Sequence, residues 1–167
     1  MKSRKKNTEA VPHLDPERAA RARVAIIRAE FNPEITESLE TWCIRTLREA
    51  GVPAQNISRH SVPGCFEIPV VAQALARQNR FDVLIALGAV IRGDTHHFDL
   101  IANECARGVM DVSLDHGIPV IFEVLAVYNR KDALRRAANN ATNKGVEAAH
   151  SALFALAALD AARESNE

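Results

Sequence analysis

The sequence lacks net charge, long apolar runs and paired cysteines. Its 21 lysines and arginines equal its 21 aspartates and glutamates, so the formal net charge is zero. This balance argues against a protein whose main role is to coat nucleic acid or an anionic membrane. It also leaves little charge repulsion between copies of the chain, so self-association stays open.

No apolar run reaches the roughly 18 residues that a bilayer-spanning helix needs. The basic start of the chain has no apolar segment of the kind found in secretory signals. The three cysteines, Cys43, Cys65 and Cys105, form no CxxC pair, which favours small buried side chains in a reducing compartment over a zinc site or a disulfide framework. We therefore expect a cytoplasmic protein with no metal, no membrane and no nucleic-acid partner.

What is present is enough apolar material for one domain. The 167 residues are 47% hydrophobic, which excludes wholesale disorder. We predict a flexible N-terminal tail over residues 1–21, a folded domain over residues 22–162 and a C-terminal tail over residues 163–167. No internal repeat or low-complexity segment is found. The first tail has a basic cluster that fits either a solvated terminus or a contact with a polyanion: Lys2, Arg4, Lys5 and Lys6.

Short apolar segments alternate with amphipathic ones along the domain. Buried strands are predicted at residues 24–27, 83–90 and 119–125, and a weaker strand at residues 57–62. Asn32 and Pro33 suit the N-cap and the first position of a helix that Gly51 ends. Further helices are predicted at residues 67–78, 97–115, 130–138 and 145–161. Because the strands lack polar alternation, we expect an α/β three-layer αβα sandwich with a roughly four-stranded parallel sheet and right-handed crossovers.

The loop after the third predicted strand is the richest in candidate site residues. In parallel sheets, ligands bind outside the carboxyl ends of the strands. Here Gly93 permits close backbone approach, Thr95 adds a hydroxyl and Arg92 adds charge. The following helix presents free N–H groups that suit a phosphate, and His97 in its first turn can carry protons near neutral pH. On its own, the segment fits an ordinary helix start with two surface histidines equally well.

Other strand ends and the last helix junction carry further candidates, each with a plainer interpretation. Phe31 and Phe66 could stack on a planar ring, although an isolated phenylalanine more often belongs to a core. Glu67 could accept hydrogen bonds from a ligand or be an ordinary first-turn helix charge. Arg136 and Lys144 could contact a phosphate or lie on a solvated face.

Four segments occur in a fixed order along the chain: Phe31-Asn32 with Ile35, VPGCFEIP at 62–69, GAVIRGDTHHFD at 88–99 and NKGVEAA at 143–149. Any one of them could arise by chance, but the set, at these separations, is specific. Together they resemble the lumazine synthase family, the 6,7-dimethyl-8-ribityllumazine synthases of riboflavin biosynthesis. The resemblance extends over about residues 23–159.

The resemblance implies a flavodoxin-like sandwich that uses no cofactor and no metal. It implies a transferase that condenses 5-amino-6-(D-ribitylamino)uracil with 3,4-dihydroxy-2-butanone 4-phosphate to 6,7-dimethyl-8-ribityllumazine, releasing phosphate and water, in the penultimate step of riboflavin biosynthesis. It also implies a homo-oligomer built from pentamers, as a pentamer, a decamer or a 60-subunit icosahedral shell, whose neighbouring subunits share each site. Riboflavin synthase is a further candidate partner.

The resemblance also assigns expected roles to individual residues. His97 falls on the proton-transfer histidine, whereas His96 does not, and Phe31 falls on the position that stacks on the pyrimidine. In the same subunit, the segment that binds the ribityl chain would be Cys65, Phe66 and Glu67, and Asn32 would lie beside Phe31. The pyrimidine pocket would include Val90 and Ile91. The phosphate-binding turn would be Gly93, Asp94 and Thr95. A neighbouring subunit would supply a ring over the heterocycle, a phosphate ligand and a group near the substrate: Phe122, Arg136 and Lys144.

Several positions depart from the usual family pattern. Glu123 replaces a usual glycine beside the heterocycle cover, Ala126 replaces a usual threonine, and Cys65 stands where alanine is usual. A charge at Glu123 could narrow or recharge the pocket. These departures motivate an alternative function, a non-catalytic paralogue of the same fold that binds a lumazine or flavin or forms a shell.

Two further questions stay open at the level of sequence. An unrelated flavodoxin-like regulator would need a phosphate-accepting aspartate, for which Asp94 is the candidate in the richest loop. The short spacing between Arg136 and Asn143 favours closed shells. Ala138 and Thr142, which stand where glycines are common, favour smaller assemblies because a tight turn there would need a positive φ.

Overall fold

Four parallel strands form the centre of the structure, a computed structural model that describes residues 14–164. The strand order is β2-β1-β3-β4, and all neighbouring strands pair in parallel. The strands are β1 (Val24–Ala29), β2 (Ile57–Val62), β3 (Val83–Ile91) and β4 (Val120–Val127). The predicted four-stranded parallel sheet is therefore confirmed.

Helices cover both faces of this sheet. They are α1 (Pro16–Arg21), α2 (Pro33–Glu49), α3 (Ile68–Ala76), α4 (His97–His116), α5 (Arg130–Arg136) and α6 (Lys144–Glu164). One core lies between the sheet and α2, α5 and α6, and a second lies between the sheet and α3 and α4. This arrangement confirms the three-layer αβα sandwich of the flavodoxin-like class. None of the helices within residues 14–164 has the length and apolar character needed to cross a membrane.

The burial of each strand follows from its place in the sheet. The central strand β1 is buried along its whole length, and β3 is buried except at its last two residues. The edge strands β2 and β4 are only partly buried and carry polar side chains, such as the exposed Arg59 and the partly buried Glu123. The central strands β1 and β3 are thus buried on both faces, as the sequence indicates. The edge strands β2 and β4 carry more exposed side chains, because each has a neighbouring strand on one side only.

The region predicted as an N-terminal tail contains a helix that the sequence analysis did not anticipate. The side chain of Asp15 accepts a hydrogen bond from the backbone of Glu17 (3.2 Å) at the start of α1. Ala19 is buried, and the Arg18 guanidinium lies 2.8 Å from the Asp160 carboxylate, which ties α1 to α6. At the other end, α6 continues to Glu164, beyond the predicted boundary at residue 162. The basic cluster of residues 2–6 lies outside the described residues.

Two helix starts differ from their predictions. Asn32 occupies the N-cap position of α2 but has a φ of 58°, and its side chain makes no capping hydrogen bond. In this left-handed conformation the side-chain amide donates instead to the carbonyl oxygen of Ala89 (3.2 Å). The third helix begins at Ile68 rather than Glu67 and ends at Ala76, because Cys65–Glu67 forms a separate 3₁₀ turn.

Helices α2 and α6 come into very close contact at Gly145. A Cβ atom at this position would overlap the carbonyl oxygen of Leu39. The side-chain oxygen of Asn143, which is buried, accepts a hydrogen bond from the Gly145 backbone (2.8 Å), and its amide donates to the hydroxyl of Ser38 (3.1 Å). These contacts fix the α5–α6 junction and hence the position of Lys144.

We expect Gly145→Ala to lower the free energy of unfolding by about 3 kcal/mol, because the added methyl group forces α2 and α6 apart. Urea unfolding at 25 °C measures this change. Gly93→Ala is the matched control for stability, since no atom lies within 4 Å of the added Cβ. Equal stabilities of the two variants would contradict the close approach at Gly145.

Candidate active site

The loops after β1, β2 and β3 lie side by side at the carboxyl edge of the sheet. The backbone N–H of Phe31 donates to the carbonyl oxygen of Pro63 (3.2 Å), which ties the β1 loop to the β2 loop. On the other side, the amide of Asn32 reaches the Ala89 carbonyl on β3. The β1 loop is thus held from both neighbouring strands, as expected for strand ends that share one edge.

A cavity of about 560 Å³ lies between these loops and the start of α4. Its size is within the range of small-molecule sites in proteins. The cavity brings together eight of the residues predicted from the sequence: Phe31, Asn32, Cys65, Phe66, Glu67, Val90, Ile91 and His97.

Four further residues line the same cavity and were not predicted as site residues: Pro63, Gly64, Ala89 and Ile101. Pro63 and Gly64 belong to the segment VPGCFEIP, and their position just past a parallel strand was the signal that could have identified them. Ile101 lies on the apolar face of α4. That face turns toward the cavity at its first turns, which no local pattern indicates.

The two phenylalanines of the cavity are exposed rather than part of a core. Phe31 is 74% exposed and Phe66 is 55% exposed, and both line the cavity. Large exposed rings that converge on one cavity are typical of ligand sites, because burial in the core would otherwise be favoured. The core interpretation of these two side chains is therefore wrong in this fold, and both rings are free to stack on a planar ligand.

The turn after β2 has a fixed acid and an unreactive thiol. The carboxylate of Glu67 accepts a hydrogen bond from the backbone N–H of Gly64 (2.9 Å), which holds the turn closed. Cys65 is buried, and burial raises the pKa of its thiol to about 11. Its Sγ lies 2.5 Å from where a Cβ on Gly88 would be, so only glycine fits opposite it. Cys65 is therefore a packed wall of the cavity and not a nucleophile.

The turn between β3 and α4 has the backbone and the histidine that the sequence indicated. Gly93, Asp94 and Thr95 are exposed, and the hydroxyl of Thr95 accepts a hydrogen bond from the backbone N–H of His97 (3.4 Å). His97 is the first residue of α4 and lines the cavity. The side chain of His96 is 99% exposed and is not among the lining residues. Of these two histidines, His97 therefore lines the cavity and His96 does not.

Six predicted site residues do not line this cavity: the turn residues Gly93, Asp94 and Thr95, and three residues further along the chain. Phe122 lies on the edge strand β4 and is 38% exposed. Arg136, at the end of α5, donates to the carbonyl oxygen of Asp132 (3.2 Å). Lys144, at the start of α6, forms an ion pair with Glu147. A single chain therefore brings together the eight predicted residues that line the cavity, and Phe122, Arg136 and Lys144 lie elsewhere on its surface.

The charge at Glu123 does not lie on the same face of β4 as Phe122. Glu123 pairs with Leu87 across the ladder and faces the core layer of α2 and α6, whereas the adjacent Phe122 faces the opposite side. Burial raises the pKa of the Glu123 carboxyl to about 7, and the nearby Glu147 carboxylate adds to this increase while Lys144 opposes it. Glu123 and Phe122 are adjacent in sequence, but side chains alternate along β4, so the Glu123 carboxyl and the Phe122 ring lie on opposite faces of the sheet.

We expect Glu123→Gln to raise the free energy of unfolding by roughly 1–3 kcal/mol at pH 8. The raised pKa means that ionisation opposes folding, so the gain should shrink as the pH falls from about 7 towards the ordinary value of 4.5. Urea unfolding at pH 5 and pH 8 measures it. The exposed Glu37→Gln is the control. A gain that is the same at both pH values would contradict a buried, neutralised carboxyl.

Within residues 14–164, no group of three or more His, Cys, Asp or Glu side chains is arranged to hold a metal ion.

The family model of 6,7-dimethyl-8-ribityllumazine synthase matches residues 21–160. The match includes all four strands, every loop that lines the cavity, and the α5–α6 junction with Arg136 and Lys144. The chain belongs to the 6,7-dimethyl-8-ribityllumazine synthase family.

Proposed function

We propose that the protein condenses 5-amino-6-(D-ribitylamino)uracil with 3,4-dihydroxy-2-butanone 4-phosphate to form 6,7-dimethyl-8-ribityllumazine, with release of phosphate and water. The observation that carries the proposal is the convergence of His97 and seven predicted substrate-binding residues on one cavity at the carboxyl edge of the sheet. Membership of the family supports the class of reaction. We further propose that the enzyme acts in the cytoplasm.

The reaction needs few kinds of catalytic group. The amine of the uracil attacks the ketone, and the resulting carbinolamine loses water to give an imine. Phosphate then leaves, and ring closure releases a second water. Each step moves a proton between nitrogen, carbon and oxygen, so one well-placed proton carrier can serve several of them. His97 is the proton carrier that we assign to these steps, because it is the histidine that lines the cavity.

Much of the remaining rate acceleration comes from positioning the two substrates against each other. The exposed rings of Phe31 and Phe66 can hold a planar pyrimidine, and Glu67, fixed by its hydrogen bond to Gly64, can accept hydrogen bonds from ribityl hydroxyls. Holding two reactants in a productive geometry lowers a barrier by several kcal/mol, up to roughly 7–11 kcal/mol in the best model reactions. A site with one proton carrier and many binding groups is therefore chemically sufficient.

We propose that each site is completed by a neighbouring subunit of a pentamer-based assembly. Phe122, Arg136 and Lys144 lie outside the lining of the cavity, on the edge strand β4 and at the ends of α5 and α6. A second subunit that placed these groups over the cavity would cover the exposed ring of Phe31 and add a cation for the leaving phosphate. Pentamers, decamers and 60-subunit shells, and a complex with riboflavin synthase, are the assemblies that this proposal allows.

The central test is a turnover assay with both substrates. We expect the purified protein to form a product that absorbs near the edge of the visible range, and His97→Ala to slow its formation roughly 10²-fold, because general acid–base catalysis is removed. His96→Ala is the matched control and should keep most of the activity, since its side chain is outside the cavity. A wild-type protein that binds both substrates without forming lumazine above background would refute the proposal.

Mixed assemblies test whether sites are shared. His97→Ala and Arg136→Ala subunits should each be impaired alone, but random co-assembly after joint refolding should restore about a quarter of the sites, those in which an intact His97 faces an intact Arg136 of the neighbour. The control is the two variants refolded separately and then combined under conditions without subunit exchange. Restoration no greater than in this control would show that one chain supplies the whole site.

A second candidate function is a non-catalytic member of the family that holds a lumazine or flavin. The observation that favours it is Glu123, a half-buried carboxyl that interacts electrostatically with Lys144, one of the groups proposed to complete a neighbouring site. Purification with a yellow fluorescent ligand and no turnover would support this function. Turnover that survives in both the wild type and Glu123→Gly would exclude it.

A further inference from the structure

Arg92 and Tyr128, the residues that follow β3 and β4, meet beside the turn predicted to bind phosphate. The last rung of the ladder pairs Ile91 with Val127, and the backbone N–H of Arg92 donates to the Val127 carbonyl (2.9 Å). Tyr128 follows Val127 directly, so Arg92 and Tyr128 continue the register beyond both strands. The Arg92 guanidinium carbon lies 5.5 Å from the centre of the Tyr128 ring, which is a cation–π contact.

Tyr128 also contacts the far end of the same turn. Its ring centre lies 6.2 Å from that of Phe98, the second residue of α4, with an angle of 34° between the planes. One ring therefore touches the residue before the turn and a residue after it. Ile91 and His97, on either side of the turn, both line the cavity. The guanidinium of Arg92, the residue after Ile91, thus stacks on the Tyr128 ring, and the side chains of both Arg92 and Tyr128 are exposed to solvent.

Arg92 differs from the other candidate phosphate ligands in its partners. Arg136 is already bound by Asp132, and Lys144 by Glu147. Within residues 14–164, no carboxylate forms an ion pair with Arg92, and its contact is the ring of Tyr128. Stacking on an aromatic face leaves the edge of a guanidinium, with its N–H donors, open to an anion.

The charge of the turn itself makes such a cation useful. Asp94 places a carboxylate inside the segment that is expected to receive a phosphate dianion. The Asp94 carboxylate would repel a phosphate dianion bound at this turn, and the partial charge at the start of α4 offsets only about half a unit. The guanidinium of Arg92 carries a full positive charge that can offset the Asp94 carboxylate.

We propose that Arg92 binds the phosphate group of the butanone phosphate, and that Tyr128 is a positioning residue that holds the guanidinium for this contact. The inference rests on the function proposed above, because it adds a ligand from the same subunit to the phosphate end of that site. Both residues belong to one subunit, so their contributions can be measured through binding of inorganic phosphate to the assembled protein.

The test compares the dissociation constant of inorganic phosphate, from isothermal titration calorimetry at pH 7.5 and low salt, with steady-state kinetics of the full-length protein. We expect Arg92→Gln to weaken phosphate binding about tenfold and to raise KM for the butanone phosphate to a similar degree, with KM for the pyrimidine unchanged. Arg92→Lys should be intermediate, because an ammonium keeps the charge without the planar fork.

Tyr128 variants separate positioning from a general structural effect. Tyr128→Leu should weaken phosphate binding about 2- to 5-fold through loss of the cation–π contact, and Tyr128→Phe should restore wild-type affinity because the ring is kept. Arg80→Gln, which removes one charge before β3 at the opposite edge of the sheet, is the control for net charge and should leave phosphate affinity unchanged. Thermal unfolding of each variant checks that the fold is kept.

The outcomes distinguish this inference from the proposed function. Wild-type phosphate affinity in both Arg92→Gln and Arg92→Lys, or no phosphate binding by the wild type, would overturn the role of Arg92. Equal losses in Tyr128→Phe and Tyr128→Leu would overturn the positioning role of the ring. Phosphate binding that depends on Arg92 in a protein without turnover would support the anion site while refuting the synthase reaction.

Discussion

Backbone hydrogen bonds that continue the parallel sheet beyond its strands hold the active-site loops in place. The N–H of Glu30 donates to the Val62 carbonyl (2.8 Å) after β1, and the N–H of Arg92 donates to the Val127 carbonyl (2.9 Å) after β3. Each such bond keeps neighbouring loops at about the 4.8 Å spacing of adjacent strands. Residues from distant parts of the chain therefore meet at the cavity because the ladder sets their separation, and the left-handed turn at Asn32 adds a side-chain bond to the same frame.

A different set of contacts positions Arg136 and Lys144, the predicted site residues at the α5–α6 junction. At the α5–α6 junction the polar side chain of Asn143 is buried with its hydrogen-bonding groups satisfied, and Gly145 allows helix backbones to touch. This rigid junction carries Arg136 and Lys144 on the side of the sheet covered by α2 and α6. The cavity with His97 opens at the carboxyl edge instead. Two rigid parts that present complementary groups, without meeting in one chain, are what a site shared between subunits requires.

The sequence predicts those features that depend on local chemistry. The apolar runs of β1 and β3 indicate buried central strands, and the turn with Gly93 and Thr95 before His97 indicates a candidate anion site, because burial and helix-start chemistry leave a local pattern. Long-range register leaves none. Nothing near Tyr128 in the sequence shows that it lies on Arg92, since that contact depends on the pairing of Ile91 with Val127. The same holds for Asn32, which has a φ of 58° and whose side chain donates to the Ala89 carbonyl on β3 instead of capping α2.

A zero net charge excludes a charge-driven function without excluding strong local fields. Much of the positive charge is used in ion pairs away from the cavity: Arg28 and Arg59, for example, both lie against the buried carboxylate of Glu40, at 3.3 and 2.6 Å. Cations paired in this way contribute little to the field outside. A guanidinium held by an aromatic ring rather than a carboxylate, as at Arg92, keeps its charge available to an anion. The balance of charges along the sequence therefore matters less than which cations the fold leaves without a carboxylate, and at the carboxyl edge that position lies next to the turn expected to bind phosphate.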